Sequence, residues 1–163
     1  MCQNRGIGKN GTLPWKIKED MKFFSKLTQG NGNNAVIMGK KTWDSFNGKH
    51  LKNRDNLVLS TTLEIDEVRE NDNIVSFKTI EDITEFCDNN SYDDIWVIGG
   101  ETIYKQFIDK NLSSECIITF INNKYNCDTH FPVLDNSVWK INNIVPMKTE
   151  QKFDVQIWYI IKK

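Results

Sequence analysis

Residues 95–104 read IWVIGGETIY, and their pattern decides the fold. The apolar run, rich in β-branched residues, predicts a strand, and the Gly99–Gly100 pair predicts a sharp turn before a helix. Residues 35–46, AVIMGKKTWDSF, repeat this order with Gly39 at the turn and a short helix from near Lys41. Two strand–glycine–helix units favour an α/β fold, in which a mixed, mostly parallel sheet is flanked by helices.

The rest of the chain extends this pattern. Helices are predicted at 17–27, at 81–87 behind Thr79 as a cap, and at 101–108. No helix is predicted between the last two strands, which favours an antiparallel hairpin at the carboxyl-terminal edge of the sheet. The length of 163 residues fits one domain, 1–163. Apolar segments predict strands at 35–38, 56–59, 73–77, 95–98, 116–121, 140–145 and 155–161.

Composition excludes several classes of protein. Hydrophobic residues make up 39% of the chain and charged residues 26%, which argues against disorder. The net charge of −1 gives no basic footprint for nucleic acid. No apolar run reaches the roughly 20 residues needed to cross a bilayer, and no signal peptide is visible, so we expect a cytoplasmic protein. The four cysteines and two histidines lack the spacing of a metal site, and we expect free thiols.

A carboxylate stands out in residues 6–24, GIGKNGTLPWKIKEDMKFF. The glycines and Asn10 predict a mobile loop that leads into a helix with Asp20 and Phe24 one turn apart. An acid among aromatic and aliphatic groups loses hydration, which makes it a usable proton source near neutral pH. The alternative is that Asp20 is a solvated surface acid beside Glu19.

Cations and hydroxyls follow the predicted strand ends. After Gly39, Lys40 and Lys41 precede a helix whose free N–H groups suit a phosphate; the alternative is a plain turn with two exposed lysines. Arg54 could grip a carboxylate bidentately or form a surface ion pair with Asp55 or another acidic residue. Ser60 and Thr61 could bind a phosphate. The G-x-G-x-x-G dinucleotide fingerprint is absent.

Other conspicuous side chains are expected to be structural. His130 lies in CDTHFP between Thr129 and Phe131, a setting typical of a structural histidine. Four tryptophans are expected in the core or on a sheet face rather than at a binding site. They are Trp43, Trp96, Trp139 and Trp158.

Taken in order, these segments resemble the dihydrofolate reductase family over nearly the whole chain. The matching pieces are GIGKNGTLPW, the helical Asp20, VIMGKKTW, NLVLS, IWVIGG with Tyr104, and DTHFP. The resemblance implies reduction of 7,8-dihydrofolate to 5,6,7,8-tetrahydrofolate with hydride from NADPH. It also implies that the protein is a monomer and that it binds dihydrofolate and antifolate-like small molecules.

The family resemblance also implies roles for individual residues. Asp20 would bind the pterin and promote protonation of N5, with Thr119 and Tyr104 also at the catalytic site. The Gly99–Gly100 bond would be cis. Expected substrate-binding residues are Trp15, Phe24, Phe46, Leu51, Arg54 and Ile98. Expected cofactor-binding residues are Ile7, Gly8, Gly39, Lys40, Lys41, Thr42, Ser60, Thr61, Gly99, Gly100, Thr102 and Tyr104.

Two departures from the family pattern bear on function. Thr61 stands where many members have arginine, so selection of the adenosine 2′-phosphate would depend on Lys40, Lys41 and hydroxyls. The chain begins MCQNRGIG, so Met1 and Cys2 match only the tail of a central first strand that is otherwise missing. We therefore hypothesise that Met1 is an internal methionine of the natural chain.

Two alternative functions remain open from the sequence. Because of the missing strand, the chain could be a catalytically impaired protein that binds folate or a nucleotide. A related pyrimidine-type reductase would keep the fold with another substrate, although Asp20, Phe24 and Arg54 together favour folate.

Overall fold

The computed structural model describes residues 1–68, 72–150 and 153–163. These residues divide into two compact units, one formed by 1–22 with 104–163 and the other by 23–103. In chain order the elements are β1 Gly6–Gly8, α1 Lys18–Gln29, β2 Ala35–Gly39, α2 Lys40–Ser45, β3 Asp55–Leu59, β4 Asp66–Val68, β5 Asn73–Phe77, α3 Ile80–Asn89, β6 Ile95–Gly99, α4 Glu101–Asp109, β7 Glu115–Ile121, β8 Thr129–His130, β9 Trp139–Met147 and β10 Val155–Lys162.

The unit 23–103 is built on a five-stranded sheet in the order β4-β5-β3-β2-β6. Strands β2, β3, β5 and β6 run parallel, and β4 pairs antiparallel with β5 at one edge. All five residues of β2 are buried, as expected for an interior strand of a covered parallel sheet. The apolar core of this sheet contains Val36, Met38, Trp43, Val58 and Ile74.

The other unit is mainly antiparallel. Its three-stranded sheet has the order β7-β10-β9, and a separate pair joins β1 to β8. Cys2 forms a parallel bridge with Ile121, and the Ile121 N–H donates to the Met1 carbonyl over 2.9 Å, so the first residues run beside β7. One apolar cluster surrounds Ile118 and Phe131, and another surrounds Ile17 and Ile121.

The structure confirms the predicted elements and adds three strands. All seven predicted strands and all four predicted helices are present, with ends that shift by no more than two residues. Thr79 caps α3 by accepting a hydrogen bond from the Asp82 N–H at 3.1 Å. Strands β1, β4 and β8 were not predicted, because segments of two or three residues with glycine or charge show no periodicity.

The predicted carboxyl-terminal hairpin is present as β9 and β10, which pair antiparallel. It lies in the sheet with β7, whereas the parallel strands form their own sheet. The four tryptophans are structural as predicted: Trp43 and Trp139 are buried, Trp96 packs on the core cluster of its sheet, and Trp158 stacks on Phe120. Among the described helices, none is long and apolar enough to cross a membrane.

Candidate active site

Asp20 is held by a hydrogen bond from a neighbouring strand. The Thr119 hydroxyl donates to Asp20 Oδ1 over 2.7 Å, and the Asp20 side chain is half-buried. Asp20 lies in the first turn of α1, where the free N–H groups and the helix dipole stabilise a negative charge. One carboxylate oxygen therefore has a fixed donor, and the side chain remains partly accessible to a ligand.

The position of Asp20 follows from the packing of its helix. Ile17, one turn earlier, is 2% exposed and packs with Ile121 and Val155. On β7, Thr119 and Ile121 are two residues apart and point to the same face. The apolar contact between Ile17 and Ile121 therefore places Asp20 opposite Thr119, and burial of the two isoleucines fixes the polar contact.

The glycine-rich segment before α1 forms a defined hairpin. Lys9 and Thr12 exchange backbone hydrogen bonds of 2.8 and 3.0 Å around Asn10 and Gly11, whose φ angles are 50° and 75°. This pair of positive φ angles is typical of a type I′ turn, for which Asn-Gly is the preferred sequence. The Asn10 N–H also donates to Asp128 Oδ2 over 2.7 Å. The predicted loop is thus shaped by its turn and held to the segment before β8.

Three strand ends meet at one edge of the five-stranded sheet. Gly39 at the end of β2 pairs with Leu59 of β3, and Met38 pairs with Gly99 of β6. Ser60 follows β3 directly. Ligands of open α/β sheets bind outside the carboxyl ends of the parallel strands, so this edge is a candidate ligand site.

The two glycine turns at this edge are close to each other. Gly99 has a φ of 106°, and the Gly99–Gly100 bond is cis, as the family resemblance implies. A Cβ on Gly100 would lie 3.7 Å from the Thr42 hydroxyl oxygen, and one on Gly39 would lie 3.9 Å from the Gly99 carbonyl oxygen. The predicted cofactor residues Gly39, Thr42, Gly99 and Gly100 are therefore neighbours in space.

Gly39 has no room for a larger residue. A Cβ there would lie 2.9 Å from Ile103 Cγ1, inside normal van der Waals contact, and Ile103 is buried. We expect Gly39→Ala to lower the free energy of unfolding by about 1–3 kcal/mol, the usual cost of overpacking. Urea unfolding measures this loss. In a double-mutant cycle with Ile103→Ala the two effects should not be additive, and strict additivity would contradict the proposed clash.

The cationic and hydroxyl residues of this edge differ in their surroundings. Lys40 pairs with Asp44, one turn later in α2, at 2.6 Å, whereas Lys41 is exposed. The Ser60 hydroxyl oxygen accepts from the N–H groups of Thr62 and Leu63 at 3.2 and 3.1 Å. Ser60 therefore shapes its own turn, while Thr61 and Thr102 are exposed.

Arg54 is a buried cation held by hydroxyl groups. It is 4% exposed, and burial lowers the pKa of its guanidinium, which nevertheless stays protonated. Its Nη1 donates to the Thr28 hydroxyl, and its Nε donates to the Lys52 carbonyl over 3.0 Å. The structure shows no carboxylate partner for Arg54 within the described residues, so the alternative of a surface ion pair is not found there.

Two residues that support this arginine were missed by the sequence analysis. Thr28 accepts from Arg54 and donates to the Phe24 carbonyl over 2.9 Å. Asn56, fully buried, accepts from the Leu51 N–H and donates to the carbonyl groups of Leu51 and Arg54 at 2.8 Å. Thr28 had a weak signal, because it is a polar residue two helical turns after Asp20. Asn56 had none, because it lies inside an apolar strand pattern.

The remaining predicted residues are apolar or aromatic and line the clusters of their own units. Phe46, Leu51 and Ile98 are half-buried against the core of the five-stranded sheet, and Phe24 is half-buried on α1. In the other unit, Trp15 packs against Tyr125 with ring centroids 5.2 Å apart, and Ile7 contacts the cluster around Ile118. Gly8, next to Ile7, is buried in β1.

Tyr104 belongs to the same cluster as Ile7. Its ring centroid lies 5.1 Å from that of Phe131. Burial raises the pKa of Tyr104 far above its usual range, so its hydroxyl stays protonated at neutral pH. Tyr104 can therefore donate a hydrogen bond but is a poor proton-transfer group.

Comparison with known proteins assigns the chain to a family. A family model described as dihydrofolate reductase matches residues 1–162. The chain belongs to the dihydrofolate reductase family. A dihydrofolate reductase from Heliothis virescens is 32% identical over 170 residues, which cover 99% of this chain and 91% of that protein.

Two further comparisons agree with this assignment. A bifunctional dihydrofolate reductase-thymidylate synthase from Plasmodium berghei (strain Anka) is 32% identical over 185 residues, covering 86% of this chain and 32% of that longer protein. A solved structure of dihydrofolate reductase from Enterococcus faecalis, complexed with NADP(H) and RAB-propyl, has a TM-score of 0.81 and 25% identity. The match covers 100% of this chain and 92% of the Enterococcus faecalis chain.

Proposed function

We propose that this protein reduces 7,8-dihydrofolate to 5,6,7,8-tetrahydrofolate, with NADPH as the hydride donor. The observation that carries the proposal is the Asp20 carboxylate, half-buried and fixed by the Thr119 hydroxyl, in a chain whose family performs this reaction. Family membership supports the reaction, and the Asp20–Thr119 pair supplies a group that can handle the proton.

Asp20 is assigned two tasks in the proposed mechanism. Thr119 occupies Asp20 Oδ1, so lone pairs on the carboxylate remain for the amino and ring N–H groups of the pterin. The charged carboxylate accepts hydrogen bonds from these groups, which orients the pterin and favours the addition of a proton at N5; this proton reaches the substrate through water. Thr119 keeps the carboxylate in one orientation, because β7 holds its backbone between β10 and the first residues of the chain.

The cofactor assignment rests on the edge formed by β2, β3 and β6. NADPH supplies the hydride when it is bound. Gly39 and Gly100 carry no side chain that would shield the backbone of their turns, and Thr42 lies beside Gly100. We assign Gly39, Lys40, Lys41 and Thr42 to the phosphates, Ser60 and Thr61 to the 2′-phosphate end, and Ile7, Gly8, Ile98, Gly99, Gly100, Thr102 and Tyr104 to the nicotinamide end.

Arg54 is assigned to the carboxylate of the glutamate part of folate. Within the described residues, this buried guanidinium is held by hydroxyl and carbonyl oxygens and lacks a compensating negative charge, which a carboxylate ligand would supply. The half-buried Phe24, Phe46 and Leu51 offer apolar contacts for the aromatic parts of the substrate, as does Trp15 in its own unit. The same chemistry suits antifolate-like inhibitors.

The test of the function is a spectroscopic assay. Purified protein is mixed with NADPH and dihydrofolate, and the loss of absorbance at the nicotinamide band is followed. Turnover that requires both compounds supports the proposal. Stabilisation of the protein by either ligand without turnover would instead favour the catalytically impaired binding protein. Turnover of a pyrimidine substrate but not of dihydrofolate would favour the related pyrimidine-type reductase.

Thr119→Val tests the positioning role of the threonine. Valine keeps the shape of the side chain but removes the donor to Asp20, a hydrogen bond to a charged group that is worth about 1.5–3 kcal/mol. We expect kcat for dihydrofolate to fall by about 10- to 10²-fold with little change in the affinity for NADPH. Thr84→Val is the control, because it removes the hydroxyl of another half-buried threonine, which lies on α3 and donates to the Ile80 carbonyl. Equal kcat values in the two variants would contradict the positioning role.

A further inference from the structure

Two cysteines lie against each other beside the β1 segment. The sulfur atoms of Cys2 and Cys127 both lie within 3.0 Å of the position that a Cβ on Gly6 would take, although the two residues are far apart in the sequence. Both are free cysteines. Cys2 is 0% exposed, whereas Cys127 is half-buried. No motif indicates this pair, since the cysteines show no characteristic spacing in the chain.

Because Gly6 has no side chain, both sulfur atoms can lie close to its backbone. A Cβ on Gly6 would overlap Cys127 Sγ and would lie 3.0 Å from Cys2 Sγ. Cys2 is fixed on the other side by its bridge to Ile121, and its thiol donates to Asn4 Oδ1 over 2.7 Å. The two thiols are therefore held at one place by a close backbone approach rather than by a flexible loop.

We propose that Cys2 and Cys127 form a redox modification site, which closes to an intramolecular disulfide when the protein meets a peroxide. In the first step Cys127 sulfur attacks a peroxide oxygen; the O–O bond breaks, and the leaving oxygen departs as water from hydrogen peroxide. In the second step Cys2 sulfur attacks the sulfenic sulfur of Cys127; the S–S bond forms and a second water leaves. Two thiols are oxidised, and one peroxide is reduced to two waters.

The exposures of the two sulfurs set this order of events. Cys127 is the one that a small oxidant can reach, and buried Cys2 resolves the sulfenic acid next to it. Burial and the neighbouring Cys2 thiol raise the pKa of Cys127, and Asp128 acts in the same direction, whereas a hydrogen bond with the backbone of Gly8 opposes them. Formation of the thiolate therefore limits the rate of the first step.

The disulfide would tie the first residues of the chain to the segment before β8. Asp128, next to Cys127, accepts the hydrogen bond from Asn10 in the hairpin turn. The crosslink and that hydrogen bond would then restrain β1 from both of its ends. Formation of the crosslink can be tested without the reductase reaction.

The experiment treats the full chain with hydrogen peroxide in slight excess and maps its peptides by mass spectrometry. We expect one crosslink, between the peptides of Cys2 and Cys127, and two of the four thiols lost to a thiol reagent and restored by reductant. Cys116→Ser is the matched control, since Cys116 is also half-buried, and it should form the same crosslink.

Cys2→Ser separates the two steps. Without the resolving thiol, the sulfenic acid on Cys127 should persist and be trapped by a carbon nucleophile such as dimedone, at least about tenfold more than in the unmodified protein. Circular dichroism checks that the variant is folded, and Cys127→Ser should give no adduct at that position. Equal trapping with and without Cys2, a crosslink that involves Cys116 or Cys87, or a sulfinic acid on Cys127 beside a free Cys2 would each overturn the proposal.

Discussion

Asp20→Asn is expected to lower kcat for dihydrofolate by about 10²- to 10⁴-fold near neutral pH, the usual contribution of a proton-transfer group. Asparagine keeps the size of the side chain and can still accept the Thr119 hydrogen bond, but it has no negative charge to favour a proton on the pterin. Steady-state kinetics measure the loss. The affinity for NADPH, measured by fluorescence titration, should not change.

Lower pH should reduce the loss of activity that Asp20→Asn causes. As the pH falls, solvent protonates more of the substrate, and the variant no longer needs a carboxylate to promote that step. The ratio of wild-type to Asp20→Asn activity should therefore shrink toward low pH. A ratio that stays constant between neutral and acidic pH would contradict the proton-handling role and leave Asp20 as a binding residue.

Glu19→Gln is the control for this prediction. Glu19 is the adjacent carboxylate in the first turn of α1, and it accepts a hydrogen bond from the Glu150 N–H over 3.1 Å. Its own and the Glu150 backbone hydrogen bonds lower its pKa, so it is charged at neutral pH like a surface acid. The variant should keep nearly full activity. A similar loss in both variants would point to helix electrostatics rather than to a specific acid.

Arg54→Met is expected to raise KM for dihydrofolate by about 10- to 10²-fold, which corresponds to a lost hydrogen bond with a charged group. The methionine fills the apolar part of the site but cannot bind a carboxylate. A substrate analogue without the glutamate part should bind the variant and the wild-type protein equally. Comparing the two substrates therefore isolates the contact with the carboxylate.

The same change should leave stability unchanged or raise it. Arg54 is a buried cation without a carboxylate partner among the described residues, and a buried charge without compensation costs free energy. Thr28 loses a donor but keeps its own hydrogen bond to the Phe24 carbonyl. Urea unfolding of the ligand-free protein measures whether the free energy of unfolding stays the same or rises, although binding of dihydrofolate is weakened. A large loss of stability would show that Arg54 stabilises the fold rather than serving to bind a ligand.

Lys52→Met is the matched control for Arg54. Lys52 is an exposed cation two residues earlier, and its backbone carbonyl, which the substitution keeps, accepts the hydrogen bond from Arg54 Nε. The substitution removes the same charge from the same loop, so a general electrostatic effect on an anionic substrate would appear in both variants. An equal rise of KM in the two variants would refute the specific role of Arg54.

The elements and the glycine turns could be predicted because their signals are local. β2 and β6 are apolar runs that end in glycine, and α3 begins behind Thr79, so a few neighbouring residues decide each of them. The cis bond at Gly99–Gly100 came from the family resemblance rather than from propensity. The strands β1 and β8 could not be predicted, because each exists only through the other.

The candidate site also combines features that the sequence indicated with features that only packing decided. Its residue types and their order in the chain indicated the family, and with it the expected roles of Asp20 and Arg54. Their partners were decided by packing. Thr28 had only a weak sequence signal and Asn56 had none, yet these two residues hold Arg54 and its loop.

The sequence alone thus determined the helices and the longer strands, the glycine turns at the strand ends and the resemblance to a family, since these depend on nearby residues and their order. Only the tertiary structure decided which distant groups meet. Ile17 and Ile121 bring Asp20 to Thr119, and Gly6 makes room for Cys2 against Cys127. Such contacts depend on burial and on the close approach of backbones, which no single segment of the sequence specifies.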